Sequence, residues 1–282
     1  MSVVLYDVPG PKARRRVLIS SVVGGLLLLG LLALAARRLQ ANGQFEYELY
    51  EPFLTEPLLY ERLLEGLLGT LKAAADALVL AAVLGVLLAF GRRSHRWFVR
   101  LPAAAVVEFF RAVPLLLLIF ALFLAYPAVT GDELPALTAL VIALALYNGA
   151  VIAEIVRAGI NAIPKGQTEA SYAMGLSRGQ TLRLVLLPQA VRVMLPALVS
   201  QLVVLLKDTS LGFVISYAEL LRTGQQLTQV LNNPLQMFLA IALGYIVINS
   251  LLSALAGFLE GRQRRKVGSS ATLAPTAAGA VL

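Results

Sequence analysis

Charged and polar side chains set inside long apolar runs are the residues of this sequence with chemistry to offer. A charge at the centre of a membrane-spanning helix costs roughly 2.5–3.5 kcal/mol, so each one is a functional candidate by default. Lys72 and Asp76 are spaced i, i+4, on one helix face, where they can pair. Glu108 with Arg111, and Glu154 with Arg157, are spaced i, i+3. The run Lys207-Asp208-Thr209-Ser210 lies about 14 residues into an apolar stretch, roughly 21 Å along a helix. Adjacent Lys and Asp point different ways, so at least one must face a polar cavity or another helix. Asn148 is a weaker candidate of the same kind. Two roles stay open for these groups: contact with a ligand carrying charges of both signs, or a network that braces a helical bundle.

Covalent chemistry is poorly supplied. The chain has no Cys, and its single His, His95, sits among arginines in Arg92-Arg93-Ser94-His95-Arg96. That rules out disulfides, thiolate nucleophiles and Cys-based metal sites, and one His builds neither a metal site nor a Ser-His-Asp triad. There is no G-x-x-x-x-G-K-[ST] phosphate loop, nor even one Gly-Lys dipeptide. No enzyme activity and no bound cofactor are expected of this chain.

The elements that must position these groups are membrane spans. Of 282 residues, 59% are hydrophobic and only 14% charged, and the mean hydropathy is +0.79. A soluble domain carries nearer 25% charge. The pattern predicts an all-α integral membrane protein with six transmembrane helices. Val17 to Ala36 is uncharged and long enough to span, since about 20 apolar residues suffice. It reads as an uncleaved span, because signal-peptide cores run to only about 7–15 residues. Residues 1–16 form a basic N-terminus. Residues 37–65 alternate Phe and Tyr with Glu and read as an extracytoplasmic segment lying on the membrane interface. Further spans follow at 66–90, 102–126, 136–156, 193–215 and 237–259, separated by a basic loop at 91–101, a turn at 127–135 and a polar loop at 216–236. Pro196 falls in the first turn of the fifth span, where a missing N–H costs little. Residues 261–282 form a tail that is basic and then disordered from Gly268.

Lysine and arginine test this topology. With the N-terminus, 91–101, 157–192 and the C-terminus placed inside, these segments hold 17 of the 24 Lys and Arg residues, and the outside segments hold four. The positive-inside rule then puts both termini and the 157–192 loop in the cytoplasm of a multi-pass cell-membrane protein. The net charge of +8 is accounted for by this distribution and calls for no nucleic acid. Gly24, Gly25 and Gly85 read as places of close helix contact.

The 157–192 loop has a structure of its own. Gly175 can close a helix in the left-handed conformation. Ser177 with Gln180 forms a capping box that starts the next helix. The spacing predicts one short helix over 167–174 and a second over 178–187, a rigid knob presented outside the membrane. Its sequence is Glu169-Ala170-Ser171-Tyr172-Ala173-Met174-Gly175, with Val185-Leu186-Leu187-Pro188 further on. This resembles the EAA loop of permease subunits of ABC importers. Glu169, Ala170, Gly175, Leu187 and Pro188 match, while Ser171 stands for Ala and Val185 for Ile.

Flanking motifs narrow the resemblance to polar amino-acid permeases: Phe110-Arg111-Ala112-Val113-Pro114-Leu115, Ala153 to Gly159, Pro164-Lys165-Gly166-Gln167, Pro188-Gln189-Ala190 and Leu206 to Leu211. The resemblance covers roughly residues 66–260 and leans toward glutamate-type permeases of high-GC Gram-positive bacteria. It implies a permease domain over 66–260, with an extra span before it. It implies that Glu169, Ala170 and Gly175 dock a separate ATP-binding subunit, which carries the ATP and Mg; Tyr172 and Met174 offer contacts on the same short helix, and Pro188 completes the expected coupling set. A second permease chain, an extracytoplasmic solute-binding protein, membrane lipid and a polar amino-acid substrate complete the expected partners. Arg111, Asn148, Glu154, Lys207, Asp208, Thr209 and Ser210 are the candidates for the substrate pathway. Ser171 is expected to alter packing against the ATPase. The rival reading is a self-sufficient carrier coupled to ions through its intramembrane carboxylates, although no internal repeat of the kind such carriers often have is readable.

Overall fold

The computed structural model describes residues 10–271. Every regular element among them is helical. The long helices are α1 (Pro11–Ala41), α2 (Pro57–Arg92), α3 (Trp97–Ala112), α4 (Leu115–Thr130), α5 (Ala136–Asn161), α6 (Lys165–Ala173), α7 (Arg178–Ile215), α8 (Leu220–Leu231) and α9 (Pro234–Ala271). Five of them are long and apolar enough to cross a membrane, and six spans result if the bent pair α3 and α4 counts as one. Residues 272–282 of the predicted disordered tail, residues 1–9 of the basic N-terminus, and the side chains from Arg262 to Lys266 lie outside the described residues. Gly268 to Ala271 continue α9 as helix.

The centre of the bundle is the pair α2 and α5. A stripe spaced by four along α2, Ala73-Ala77-Ala81-Gly85-Ala89, is buried against Ala139, Ala143, Ala150 and Ala153 of α5. Lipid tails are as apolar as leucine, so close van der Waals approach of small residues replaces the hydrophobic effect as the packing force. A Cβ at Gly85 would lie 2.6 Å from Ile152 Cγ2 and 2.9 Å from the Gly149 carbonyl oxygen. The expected close contact at Gly85 is therefore present. Gly24 and Gly25 have nothing within 4 Å, and no side chain of α1 is buried.

Prolines reshape three elements that the sequence suggested were simple. The expected span over 102–126 is divided between α3 and α4, which meet at 102°. Val113 is extended (φ −79°, ψ 129°) because the ring of Pro114 disfavours helical backbone in the residue before it. The expected turn at 127–135 begins later, since α4 runs to Thr130 and closes on Gly131 at φ +79°. The second short helix expected over 178–187 is not separate. It continues through Pro188 as the single helix α7, whose ladder widens to a π turn at Thr181–Leu186, with the Leu187 N–H donating to the Leu182 carbonyl. A similar π turn at Ala121–Ala125 precedes Pro127. Pro196 consequently lies in the interior of α7 rather than in a first turn.

The polar stretch 216–236 is not a loop. It contains α8, packed against α2 and α9 around Leu59, Leu220, Met237 and Ile241. Its start is capped by Glu219, whose carboxylate accepts from the Leu221 and Arg222 N–H groups at 2.8 and 2.6 Å. The segment before α2 is tied to the junction of α8 and α9. Asn233 Nδ2 donates to the Leu49 carbonyl (3.1 Å) and Gln236 Nε2 to the Gln44 carbonyl (2.8 Å).

Candidate functional site

The first site is the corner between α6 and α7. Helix α6 ends in a Schellman motif: Leu176 N–H donates to the Ser171 carbonyl (3.1 Å) and Gly175 N–H to the Tyr172 carbonyl (2.9 Å). Gly175 adopts φ +81°, the left-handed conformation expected of it. Ser177 N–H donates to Gln180 Oε1 at 2.9 Å, and Gln180 N–H returns to Ser177 Oγ at 3.4 Å, completing the capping box. The corner is braced by Gln189 Nε2 donating to Gln167 Oε1 (3.2 Å), and Arg178 Nη1 meets His95 Nε2 at 3.1 Å. Glu169, Ala170, Tyr172, Met174, Gly175 and Pro188 are all exposed, and Met174 is 82% exposed. An apolar side chain so bare at a rigid corner is available to another surface. Ser171 points inward, 4% exposed, with its hydroxyl on the Gln167 carbonyl (2.6 Å). It is not part of the outward-facing set.

The second site is a groove of about 790 Å³ between α7 and α9. Lys207 and Ser210 line it from α7, and Tyr245, Asn249, Ser250 and Ser253 from α9. Asn249 is 8% exposed; its Nδ2 donates to the Tyr245 carbonyl (2.6 Å), while its buried Oδ1 has no partner. A buried unpaired acceptor costs about 1–3 kcal/mol. Tyr245 OH donates to Glu219 (2.7 Å), which links the groove to the cap of α8. Burial pushes the Glu219 carboxyl above its ordinary range, against the hydrogen bonds from Leu221, Tyr245 and Arg222 that pull it down. Of the predicted run, Lys207 and Ser210 line the groove. Thr209 is buried, its hydroxyl donating to the Leu206 carbonyl (2.6 Å), and Asp208 is half-buried.

The remaining candidates divide between two networks. Asn148 is fully buried and accepts from Gln201 Nε2 at 2.6 Å, joining α5 to α7. Glu154 lies in an ion cluster tying together α2, α3 and α5. Its carboxylate pairs with Arg92 (3.0 Å), Arg111 (3.9 Å) and Arg157. Glu108 pairs with Arg92 at 3.2 Å rather than with Arg111, because the Arg92 guanidinium at the end of α2 reaches both carboxylates. Among the described residues Lys72 and Asp76 form no ion pair, and both are exposed. The sequence reading passed over Gln201, Glu219, Tyr245 and Asn249. Gln201 and Asn249 carried the same signal as Asn148, an amide inside an apolar run.

Comparison with known proteins accounts for this architecture. Residues 81–265 match the model of the family described as binding-protein-dependent transport system inner membrane component. The chain is 44% identical over 241 residues to the glutamate transport system permease protein GluD of Corynebacterium glutamicum, covering 81% of this chain and 86% of that one. It is 36% identical over 222 residues to the glutamine transport system permease protein GlnP of Escherichia coli K12, covering 78% of this chain and 99% of the other. Among solved structures, an amino acid ABC transporter crystallised with histidines superposes with a TM-score of 0.71 at 32% identity, over 74% of this chain and 98% of that one. An inward-facing MetNI methionine ABC transporter shares the fold at 23% identity with a TM-score of 0.62, again over 74% and 98%. With its small-residue α2–α5 core, its bent third element and its capped corner leading into α7, the chain belongs to the family of inner membrane components of binding-protein-dependent transport systems.

Proposed function

We propose that this chain is the permease subunit of an ATP-driven ABC importer for polar amino acids, with glutamate the favoured substrate. The observation that carries the reading is the course of α7. The helix starts at the capped corner and reaches the groove at Lys207 some 29 residues later, about 43 Å at 1.5 Å per residue. A displacement at the corner is delivered to Lys207 and Ser210 without crossing a loop.

In this reading the corner faces the cytoplasm, as do both termini, and α3 with α4 makes the third of six spans. Glu169, Ala170, Tyr172, Met174 and Gly175 dock in a groove of a separate ATP-binding subunit, which holds the ATP and Mg. The helical contact offers a few anchors on one face, with Met174 the most exposed. Two permease chains line one pathway, and a solute-binding protein delivers substrate from outside. Lys207, exposed in the groove, meets the substrate carboxylate. A cation there suits an amino acid, and the identity with a glutamate permease supports glutamate among them. Arg111 and Glu154 act in a brace between α2, α3 and α5 rather than in the groove.

The test is co-purification with candidate ATP-binding subunits in detergent, followed by substrate-stimulated ATPase assays with glutamate, glutamine and arginine. Wild type captures its subunit, while Glu169→Lys and Gly175→Arg keep the fold and lose it. Uptake of amino acid by vesicles holding this chain alone, with no ATPase captured, would overturn the reading in favour of an ion-coupled carrier.

A further inference from the structure

The turn between α2 and α3 and the first helical turn after it carry Arg93, Arg96 and Arg100 beside Trp97 and Phe98 in the chain. Trp97 is 67% exposed and Phe98 57%, and their rings meet edge to face with centroids 6.4 Å apart. Arg96 is the N-cap of α3 and Arg100 lies one turn further on, its N–H donating to the Arg96 carbonyl (3.0 Å); both side chains are exposed. Among the described residues no carboxylate lies within salt-bridge distance of Arg93, Arg96 or Arg100, although Arg92 next door is paired twice. The patch is held firmly. Arg93 Nη1 donates to Asn161 Oδ1 at 3.1 Å, at the end of α5, and His95 Nε2 meets Arg178 Nη1 at the start of α7.

Just beyond the patch α3 becomes apolar, from Leu101 to Phe110 except for Glu108. Arg96 and Arg100 thus stand where a helix leaves water for hydrocarbon, beside two uncovered aromatic rings. Tryptophan prefers that boundary, and unpaired arginines there attract anionic headgroups. We propose that Arg96, Arg100, Trp97 and Phe98 form a binding surface for an anionic phospholipid. The headgroup sits on the two guanidinium groups and the first acyl carbons lie on the aromatic rings. Because the same turn touches Arg178, the bound lipid also braces the corner that α6 and α7 form. This last consequence rests on the reading of that corner as a docking element; the lipid surface itself does not.

Trp97 is the chain's single tryptophan, so its fluorescence reports on this patch alone. The full chain is reconstituted, without any ATP-binding subunit, in phosphatidylcholine vesicles. Brominated phosphatidylglycerol or brominated phosphatidylcholine is titrated in as quencher. The expected result is preferential quenching by the anionic lipid, with a relative affinity falling on the order of fivefold for each arginine removed in Arg96→Gln and Arg96→Gln/Arg100→Gln. These side chains are exposed and partnerless toward acids, so the variants are expected to melt as wild type does. Equal quenching by both lipids, or none by either, overturns the proposal. So does an unchanged lipid preference in the double variant, and if that variant also loses capture of the ATP-binding subunit, the patch serves that protein instead. Capture by wild type in detergent is scored separately, so failure of the importer reading leaves the lipid result standing.

Discussion

Gln201 Nε2 donates to Asn148 Oδ1 at 2.6 Å, and Asn148 Nδ2 donates in turn to the Leu144 carbonyl at 2.9 Å. The pair joins α7 to α5 in the bundle, with Asn148 fully buried and Gln201 partly so. Its removal should be asymmetric. Gln201→Leu leaves Asn148 Oδ1 buried without a donor and should cost about 1–3 kcal/mol. Adding Asn148→Leu removes the orphan and should recover part of that loss, limited by the fit of the larger side chain. Thermal denaturation of the two single variants and the double variant in detergent, treated as a double-mutant cycle, measures the coupling. Strict additivity would mean that the pair contributes nothing as a pair.

At Gly175 the obstacle to a side chain is backbone conformation alone, since nothing lies within 4 Å of a Cβ built there. Gly175→Ala should therefore cost about 1–2 kcal/mol of local strain. Gly175→Asn should cost less, because Asn tolerates the left-handed region, and Gly175→Val more. The order Gly, Asn, Ala, Val should appear in the affinity for the ATP-binding subunit, measured by titration of the purified pair, while the melting temperature moves little.

Gly85 presents the opposite case. Its Cβ would press on Ile152 Cγ2 and on the Gly149 carbonyl, and a backbone oxygen cannot swing aside. Gly85→Ala should destabilise by several kcal/mol or prevent folding, and Ile152→Ala should rescue it only partly, since the residue 152 Cβ (2.7 Å) and the carbonyl (2.9 Å) both remain. Gly24→Ala in α1, with nothing nearby, should be neutral or slightly stabilising. Yield of monodisperse protein and melting temperature in detergent separate the three.

Glu219 gives a pH dependence whose sign is fixed. Its pKa in the folded chain is raised above the ordinary 4.5 by burial. The folded state therefore holds this proton more tightly than the unfolded state. That contribution to stability is fully present below the unfolded pKa and is lost as pH rises from about 4.5 through the raised value. Glu219→Gln carries no such charge. The difference in melting temperature between wild type and Glu219→Gln should shift against wild type as pH increases from 4 to 8, whatever the absolute cost of the lost cap.

Lys207 separates recognition from coupling. Lys207→Gln removes the cation of the groove and leaves the corner, about 43 Å away along α7, untouched. Half-saturation of substrate-stimulated ATPase should rise about tenfold or more, in line with a charge-assisted hydrogen bond of roughly 1.5–3 kcal/mol. Capture of the ATP-binding subunit should stay as in wild type. Loss of both would make Lys207 a structural residue.

The sequence by itself determined the features set by neighbours a few residues apart. The all-helical membrane class follows from apolar runs, and the corner follows from Gly175 and from Ser177 three residues before Gln180. Those interactions close within one helical turn, so the order of residue types suffices to specify them. Tertiary structure decided what depends on which helices lie side by side. Arg92 takes Glu108 and Glu154, which are 16 and 62 residues away, in place of the local Glu108–Arg111 pair that spacing suggested. Asn148 finds Gln201 at a separation of 53 residues. Pro188 looked like a helix end, but α7 runs on through it after a π turn, and the polar stretch 216–236 became α8 because Glu219 caps it and Leu220 packs under Leu59 and Met237. A side chain can choose among several partners of equal chemistry, and only the packing of backbones around it settles which one comes within reach.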